Sequence, residues 1–317
     1  MKKTLAMIAA AGLAAGSPAL GQEAITAAGP EGDLAGTLIA PQDGQPVVLI
    51  VPGSGPTDRD GNNPMGVTAA SYRLLAEALG ERGIGSVRID KRGMFGSAGA
   101  IPDANDVTIA AYADDVHSWI ASAKAATGAE CVWVLGHSEG GLVALEAAQR
   151  PDGICGVLLV ASMGRKTGTI LREQLQANPA NAPILDQALE AIDTLEAGGT
   201  VDVTGMHPAL MGLFAPQVQG FLKDMMARDP AELASSVEVP MLVVSGGKDI
   251  QTPPADGLAL AEAQPEAVYV EIADMNHVLK TVTGEGRAAN LATYADPSKP
   301  VTPELVDAIA DFVTNKE

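Results

Sequence analysis

From Asp33 onward the chain alternates between short apolar runs and longer stretches with helical spacing. Runs rich in Val, Ile and Leu stand at Pro46–Val51, Gly85–Ile89, Val132–Leu135, Val157–Val160, Met241–Val244 and Val268–Ile272. Amphipathic segments separate or follow them at Ser71–Arg82, Val107–Ala125, Gly140–Gln149, Pro254–Ala263 and Pro303–Val313. This rhythm predicts an α/β fold, a mostly parallel central sheet with helices on both faces. Strands so apolar throughout are expected to be covered on both sides.

One stretch breaks the rhythm. Between Ser162 and Pro240 there is no strong strand candidate, only helical patterns at Ile184–Ala197 and Gln217–Arg228, interrupted at Gly198-Gly199 and His207-Pro208. We expect a helical lid insertion over residues 162–239, set into a core formed by 22–161 and 240–317; insertions of this length are usually functional. Its apolar side chains include Met211, Phe214, Phe221 and Met225. They are candidate walls for a substrate's acyl group, since Met-rich faces adapt to varied shapes. The same residues could equally pack the insertion onto the core.

The first residues read as an address. Lys2 and Lys3 precede a short apolar run, Leu5 to Ala15, broken by Ser17-Pro18 and followed by the small residues around Gly21. The pattern is that of a secretory signal peptide over residues 1–21, cleaved near Gly21. It is too short for a membrane anchor, and the protein is expected to be periplasmic or secreted.

Composition narrows the chemistry. With 39 acidic against 20 basic residues and a net charge of −19, the chain repels phosphate backbones and anionic lipid surfaces, so neither nucleic acid nor membrane is an expected partner. The 2 Cys and 4 His are too few and scattered for a metal site of usual spacing. In an oxidising compartment Cys131 and Cys155 could pair: each lies just before an apolar run, and if those runs are neighbouring parallel strands the two share a sheet end; buried free thiols are the alternative, and the spacing leaves both open.

The residues that carry chemistry centre on Gly136-His137-Ser138-Glu139-Gly140-Gly141, between an apolar run and a helical segment. G-x-S-x-G in strand–turn–helix context is a nucleophile elbow: the glycines let strand and helix approach, and the serine oxygen is forced into the open. A serine needs a base, and the base needs an orienting carboxylate, in the chain order Ser, acid, His. Of the two later histidines, His207 lies in the insertion, whereas His277 follows the last apolar run. Asp249, in Gly247-Lys248-Asp249 after Met241–Val244, is the candidate acid; Asp274 competes but shares the short loop of His277. The oxyanion hole would use the backbone N–H of Glu139, just after the nucleophile, and of Ser54 in the early loop Pro52-Gly53-Ser54-Gly55-Pro56. The charged groups Asp58-Arg59-Asp60 and Asp90-Lys91-Arg92 read as ion pairs that fix the site loops, with Glu139 a possible partner of Lys91 or Arg92.

The motifs Gly53-Ser54-Gly55-Pro56-Thr57-Asp58-Arg59-Asp60-Gly61-Asn62, Asp90-Lys91-Arg92-Gly93, Gly136–Gly141, Gly247-Lys248-Asp249 and Asn276-His277-Val278-Leu279-Lys280 together resemble the α/β-hydrolase superfamily, and within it a group of bacterial carboxylesterases. The likeness runs from about Asp33 to the C-terminus. It implies a Ser138/Asp249/His277 esterase acting on short acyl esters of small molecules, with no metal or cofactor. Met94-Phe95-Gly96-Ser97 departs from the group's pattern after Arg92-Gly93, in a supporting loop. An amidase, aminopeptidase, thioesterase or acyltransferase would use the same triad, with Glu196, Asp224 and Asp229 available to hold a substrate ammonium. A catalytically dead binding protein is the remaining, weaker reading.

Overall fold

In the computed structural model, which describes residues 21–315, the apolar runs pair edge to edge into one eight-stranded sheet. The expected leader lies outside the described residues except for Gly21. The strands are β1 (Gln22–Ala28), β2 (Asp33–Ile39), β3 (Val47–Val51), β4 (Gly85–Ile89), β5 (Val132–His137), β6 (Ile154–Val160), β7 (Met241–Gly246) and β8 (Val268–Ile272). Their spatial order is β1-β2-β4-β3-β5-β6-β7-β8. From β4 through β8 neighbours run parallel, whereas β1 and β2 are antiparallel to each other and β2 to β4.

The helices follow in chain order: α1 (Ser71–Gly80), α2 (Ile109–Thr127) and α3 (Glu139–Ala148); then α4 (Thr167–Gln176), α5 (Leu185–Glu196), α6 (Pro208–Met211), α7 (Gln219–Met226) and α8 (Pro230–Ser235); then α9 (Pro254–Ala263), α10 (Gly286–Ala292) and α11 (Pro303–Thr314). Alternation along β3 sorts the two layers. Val47, Leu49 and Val51 join the core under α2 and α3, while Val48 and Ile50 join the core under α1 and α11. The expectation of a doubly covered sheet holds for β3 and β4, every residue of which is buried. It fails for β8, an edge strand with Val268 and Glu271 exposed, where only one neighbour shields the backbone.

The hairpin β1–β2 is absent from the sequence-based expectation. Its alternation is muted because Ala27 and Gly36 stand at inward positions where Val or Ile would announce a strand. Gly36 is small for a reason: a Cβ there would meet the Trp119 ring and the Arg88 carbonyl.

Helices α4 to α8 occupy the stretch between β6 and β7. Their apolar faces turn toward the core layer that contains α2 and α3. Phe214 is fully buried and Met225 nearly so; Phe221 packs edge-on against Tyr112 with ring centroids 5.9 Å apart; Met211 is 46% exposed. The non-helical chain between α5 and α7 is pinned by the buried Gln219 side chain, which bonds both backbone groups of Val201 and the Phe214 carbonyl. The insertion is therefore anchored by Phe214, Phe221 and Met225, three of the four residues that the sequence offered as its substrate wall.

Cys131 and Cys155 form a disulfide with Cα atoms 5.2 Å apart, resolving the alternative left open by the spacing. It ties the N-terminal ends of β5 and β6, the sheet end opposite to Ser138.

Candidate active site

Ser138 caps α3 at the tip of β5 with φ 55° and ψ −121°, a conformation reserved for strained turns. Its glycines are sterically required. A Cβ at Gly136 would strike the Gly140 backbone, and one at Gly140 would strike the Val51 carbonyl. Ser138 is half-buried and shares a cavity of about 180 Å³ with His277.

His277 and Asp249 meet as the sequence predicts. The Nδ1 of His277 lies 2.8 Å from Asp249 Oδ2, both residues being buried. Burial alone would raise the Asp249 carboxyl pKa. The facing imidazole and the N–H groups of Gln251 (2.7 Å) and Thr252 (3.0 Å) override that and hold it below its ordinary value. Thr252 adds its hydroxyl, 3.0 Å from Asp249 Oδ2 and 2.8 Å from the Ala161 carbonyl. The rival acid, Asp274, is surface-exposed and pairs with Lys248 at 3.0 Å.

Asn276 sets the base loop. Its fully buried amide donates to Asn290 Oδ1 and Thr293 Oγ1, and its oxygen accepts the Lys280 N–H. Ser71 clamps the same loop from α1 through the Val278 carbonyl.

The backbone N–H groups of Ser54 and Glu139 take no backbone or side-chain acceptor among the described residues. Beneath them sits the buried Lys91. Its Nζ donates to the Gly53 carbonyl at 2.8 Å and to Glu139 Oε1 at 3.1 Å, and lies 5.3 Å from the Tyr112 ring centroid. The Gly53 carbonyl belongs to the same peptide as the Ser54 N–H, so the ammonium both orients and polarises that donor. Of the two partners the sequence allowed Glu139, the structure selects Lys91; Arg92 instead pairs with Asp115. Asp90 receives Arg59 and the Gly96 N–H, holding the early loop against the segment after β4, and Asp60 pairs with Arg88.

His137 has a role the sequence did not reveal. The Gly53 N–H donates to Tyr72 OH at 3.0 Å, and that hydroxyl lies 2.8 Å from His137 Nδ1. His137 Nε2 lies 2.8 Å from the backbone carbonyl of His277. One consistent proton arrangement runs Gly53 to Tyr72 to His137 to His277, with His137 neutral. Burial enforces that state, lowering the His137 pKa to about 3. Tyr72, His137 and Thr252 carried no motif signal; the only sequence clue is the D-x-x-T spacing from Asp249, which lets Thr252 close a turn onto the carboxylate.

The side chains offered for the insertion's wall do not reach Ser138. Met65, Val67, Tyr72, Val278, Gln251 and Tyr294 line its cavity instead, whereas Met211, Phe214, Phe221 and Met225 do not. A second cavity, of about 360 Å³, adjoins it across Gln251 and Tyr294, and Leu213 is the residue from the α6–α7 region that lines it.

A family model described as serine aminopeptidase, S33, matches residues 64–279. The chain is 27% identical over 250 residues to the esterase EstD of Thermotoga maritima, an alignment covering 77% of this chain but only 56% of that protein. Among solved structures, a thermophilic esterase from Thermogutta terrifontis superposes with a TM-score of 0.55 at 21% identity, covering 92% of this chain and 98% of that one. The enol-lactonase of Burkholderia xenovorans does so with a TM-score of 0.54 at 20% identity, covering 92% and 100%. These likenesses establish the α/β-hydrolase fold. The family match spans most of the chain and takes in the elbow, Asp249 and His277, and the chain belongs to the serine aminopeptidase S33 family of α/β-hydrolases.

Proposed function

We propose that the protein is a serine carboxylesterase for short acyl esters. The observation that carries this reading is the convergence of Ser138 and the Asp249-bound His277 on one cavity, flanked by the unpaired N–H groups of Ser54 and Glu139. Ser138 Oγ attacks the ester carbonyl while His277 takes its proton; Asp249 fixes the tautomer and stabilises the imidazolium. The two N–H groups hold the tetrahedral oxyanion. His277 then protonates the leaving alcohol, and water, activated by the same imidazole, releases the acid from the acyl-enzyme. Helices α4 to α8 serve as a lid, presenting Leu171, Leu175 and Leu213 toward the larger cavity.

The family name favours aminopeptidase activity as a second reading. An aminopeptidase must hold a substrate ammonium, and among the described residues no carboxylate lines either cavity. The three acids that could serve are engaged elsewhere, Glu196 with Arg172, Asp224 with Arg228 and Asp229 with Lys166 and the N-terminus of α8. Export is the third element of the proposal. The leader pattern of residues 1–21 supports it, and so does a disulfide, which persists in oxidising compartments.

Ser138→Ala should abolish hydrolysis of p-nitrophenyl acetate and butyrate, a loss on the order of 10⁴-fold or more. It should also abolish labelling by a fluorophosphonate. Retained turnover overturns the mechanism, and faster cleavage of an aminoacyl anilide than of the matching ester favours the second reading.

A further inference from the structure

The larger cavity opens beside the Ser138 cavity and takes no part in the triad. At about 360 Å³ it is the size of a small-molecule site, and it meets the Ser138 cavity at Gln251 and Tyr294, which line both. Its lining is biased in charge. The chain has 39 acidic residues, yet among the described residues none contributes to this wall. The polar groups there are Gln174, Asn178, Asn181, Gln251, Tyr294 and, at the exposed mouth, Arg287.

Arg287 is exceptional among the arginines. In an acidic chain a guanidinium readily finds a carboxylate, and the other nine arginines each have one within ion-pair distance. Among the described residues Arg287 has neither an ion pair nor a side-chain hydrogen bond. The neighbouring acid, Glu285, turns to Lys248. Two donors beside it are also uncommitted, whereas the Gln174 and Asn181 amides already donate to the Gln251 and Leu175 carbonyls. Tyr294 OH accepts from Gln251 Nε2 at 3.1 Å, which leaves its own proton to give, and the Asn178 side-chain amide nitrogen makes no bond. A planar guanidinium beside hydroxyl and amide donors is the arrangement that recognises a carboxylate.

We infer that this cavity, through Arg287, selects esters that carry a terminal carboxylate several carbons from the scissile bond, that is, monoesters of dicarboxylic acids or acyl esters of hydroxy acids. Leu171, Leu175, Leu213 and Leu291 provide the apolar passage for the intervening methylenes. The inference rests on the esterase reading for the position of the scissile bond, and on the cavity's own lining for the anion.

The test compares matched pairs. For the acyl limb, kcat/KM for the p-nitrophenyl monoester of adipic acid is measured against p-nitrophenyl hexanoate. For the alcohol limb, 6-acetoxyhexanoate is measured against hexyl acetate by acid release. At least one anionic ester should exceed its neutral partner by about tenfold, the worth of one charge-assisted contact. The limb that shows the preference identifies which side enters the cavity. Arg287→Gln should bring that ratio to about 1 by raising KM for the anionic ester, and Arg287→Lys should retain part of it. No preference in either pair, or a ratio unmoved by Arg287→Gln, overturns the inference. Calorimetry on the Ser138→Ala protein separates it from the esterase reading. Adipate should bind more tightly than hexanoate in an Arg287-dependent manner even if no ester is turned over, and equal binding of the two overturns the inference whatever the turnover shows.

Discussion

Lys91 concentrates two tasks in one buried atom. Its ammonium bonds the carbonyl of the peptide whose N–H is a proposed oxyanion donor, and it neutralises Glu139, whose own N–H is the other. Removing the lysine alone would strand a buried carboxylate, at a cost of about 3–5 kcal/mol in stability. The informative variant is therefore Lys91→Met with Glu139→Gln. It should remain folded while kcat for p-nitrophenyl acetate falls on the order of tenfold with KM little changed, because the loss falls on the transition state. An unchanged kcat would reduce the pair to a packing element. His137 predicts a pH effect. In the unfolded chain it takes up a proton near its ordinary value of 6.5, whereas burial delays that to about 3 in the fold. As the pH drops between those values the unfolded state gains the proton first, so stability declines by up to about 1.4 kcal/mol per pH unit from this group. His137→Gln should flatten the melting temperature's fall between about pH 6.5 and pH 4. It should not abolish that fall, because burial also lowers the pKa of His117. A slope identical to that of the native chain would exclude His137 as its source.

Among the elements, what the sequence disclosed depended on whether a local pattern had one physical meaning. The runs at β3, β5, β6 and β7 were legible because strands buried in a parallel sheet are apolar over most of their length, and β4 and β8 because Val and Ile recur at alternate positions. The hairpin β1–β2 was not, since Ala27 and Gly36 stand at inward positions, Gly36 making room for Trp119. The elbow and the proposed acid and base could be placed because each follows a strand at the same sheet end. Tyr72, His137 and Thr252 could not, for their contacts depend on how α1 and the loops after β7 and β8 converge in space. The insertion shows a third case. Its apolar stripe was visible, but such a stripe does not say whether it faces a cavity or a core: Phe214 and Met225 are buried in the core, Met211 is exposed, and Leu213 lines the larger cavity. The disulfide belongs at this scale too. Closing a separation of 24 residues, it should contribute roughly 3–4 kcal/mol by limiting the unfolded chain. Cys131→Ala with Cys155→Ala, or reduction, should lower the unfolding free energy by about that amount and leave kcat intact, because the link sits at the far end of β5 from Ser138. A matching loss of kcat in the folded protein would mean that the clip reaches the site.

The whole molecule is organised by its charge as well as by its sheet. A net charge of −19 makes the surface repel itself, while the pairs Lys91–Glu139 and Arg92–Asp115 are buried and poorly screened. Raising sodium chloride from about 0.1 M to about 1 M shortens the screening length from about 10 Å to about 3 Å, so the melting temperature should rise. A falling melting temperature would show that exposed ion pairs such as Arg150–Asp114 outweigh the repulsion.

The bonded path from Gly53 through Tyr72 and His137 to the His277 carbonyl bears on how this scaffold can be altered. It makes two segments remote in sequence a single mechanical part. Replacing the early loop or the histidine loop alone, by grafting or by directed evolution, would break a contact in the other. A change of specificity is easier to introduce at the periphery, along α4 and α10, than by recutting either loop. Any transplant of this centre into another framework would have to carry Tyr72 and His137 along with the three residues of the proposed triad.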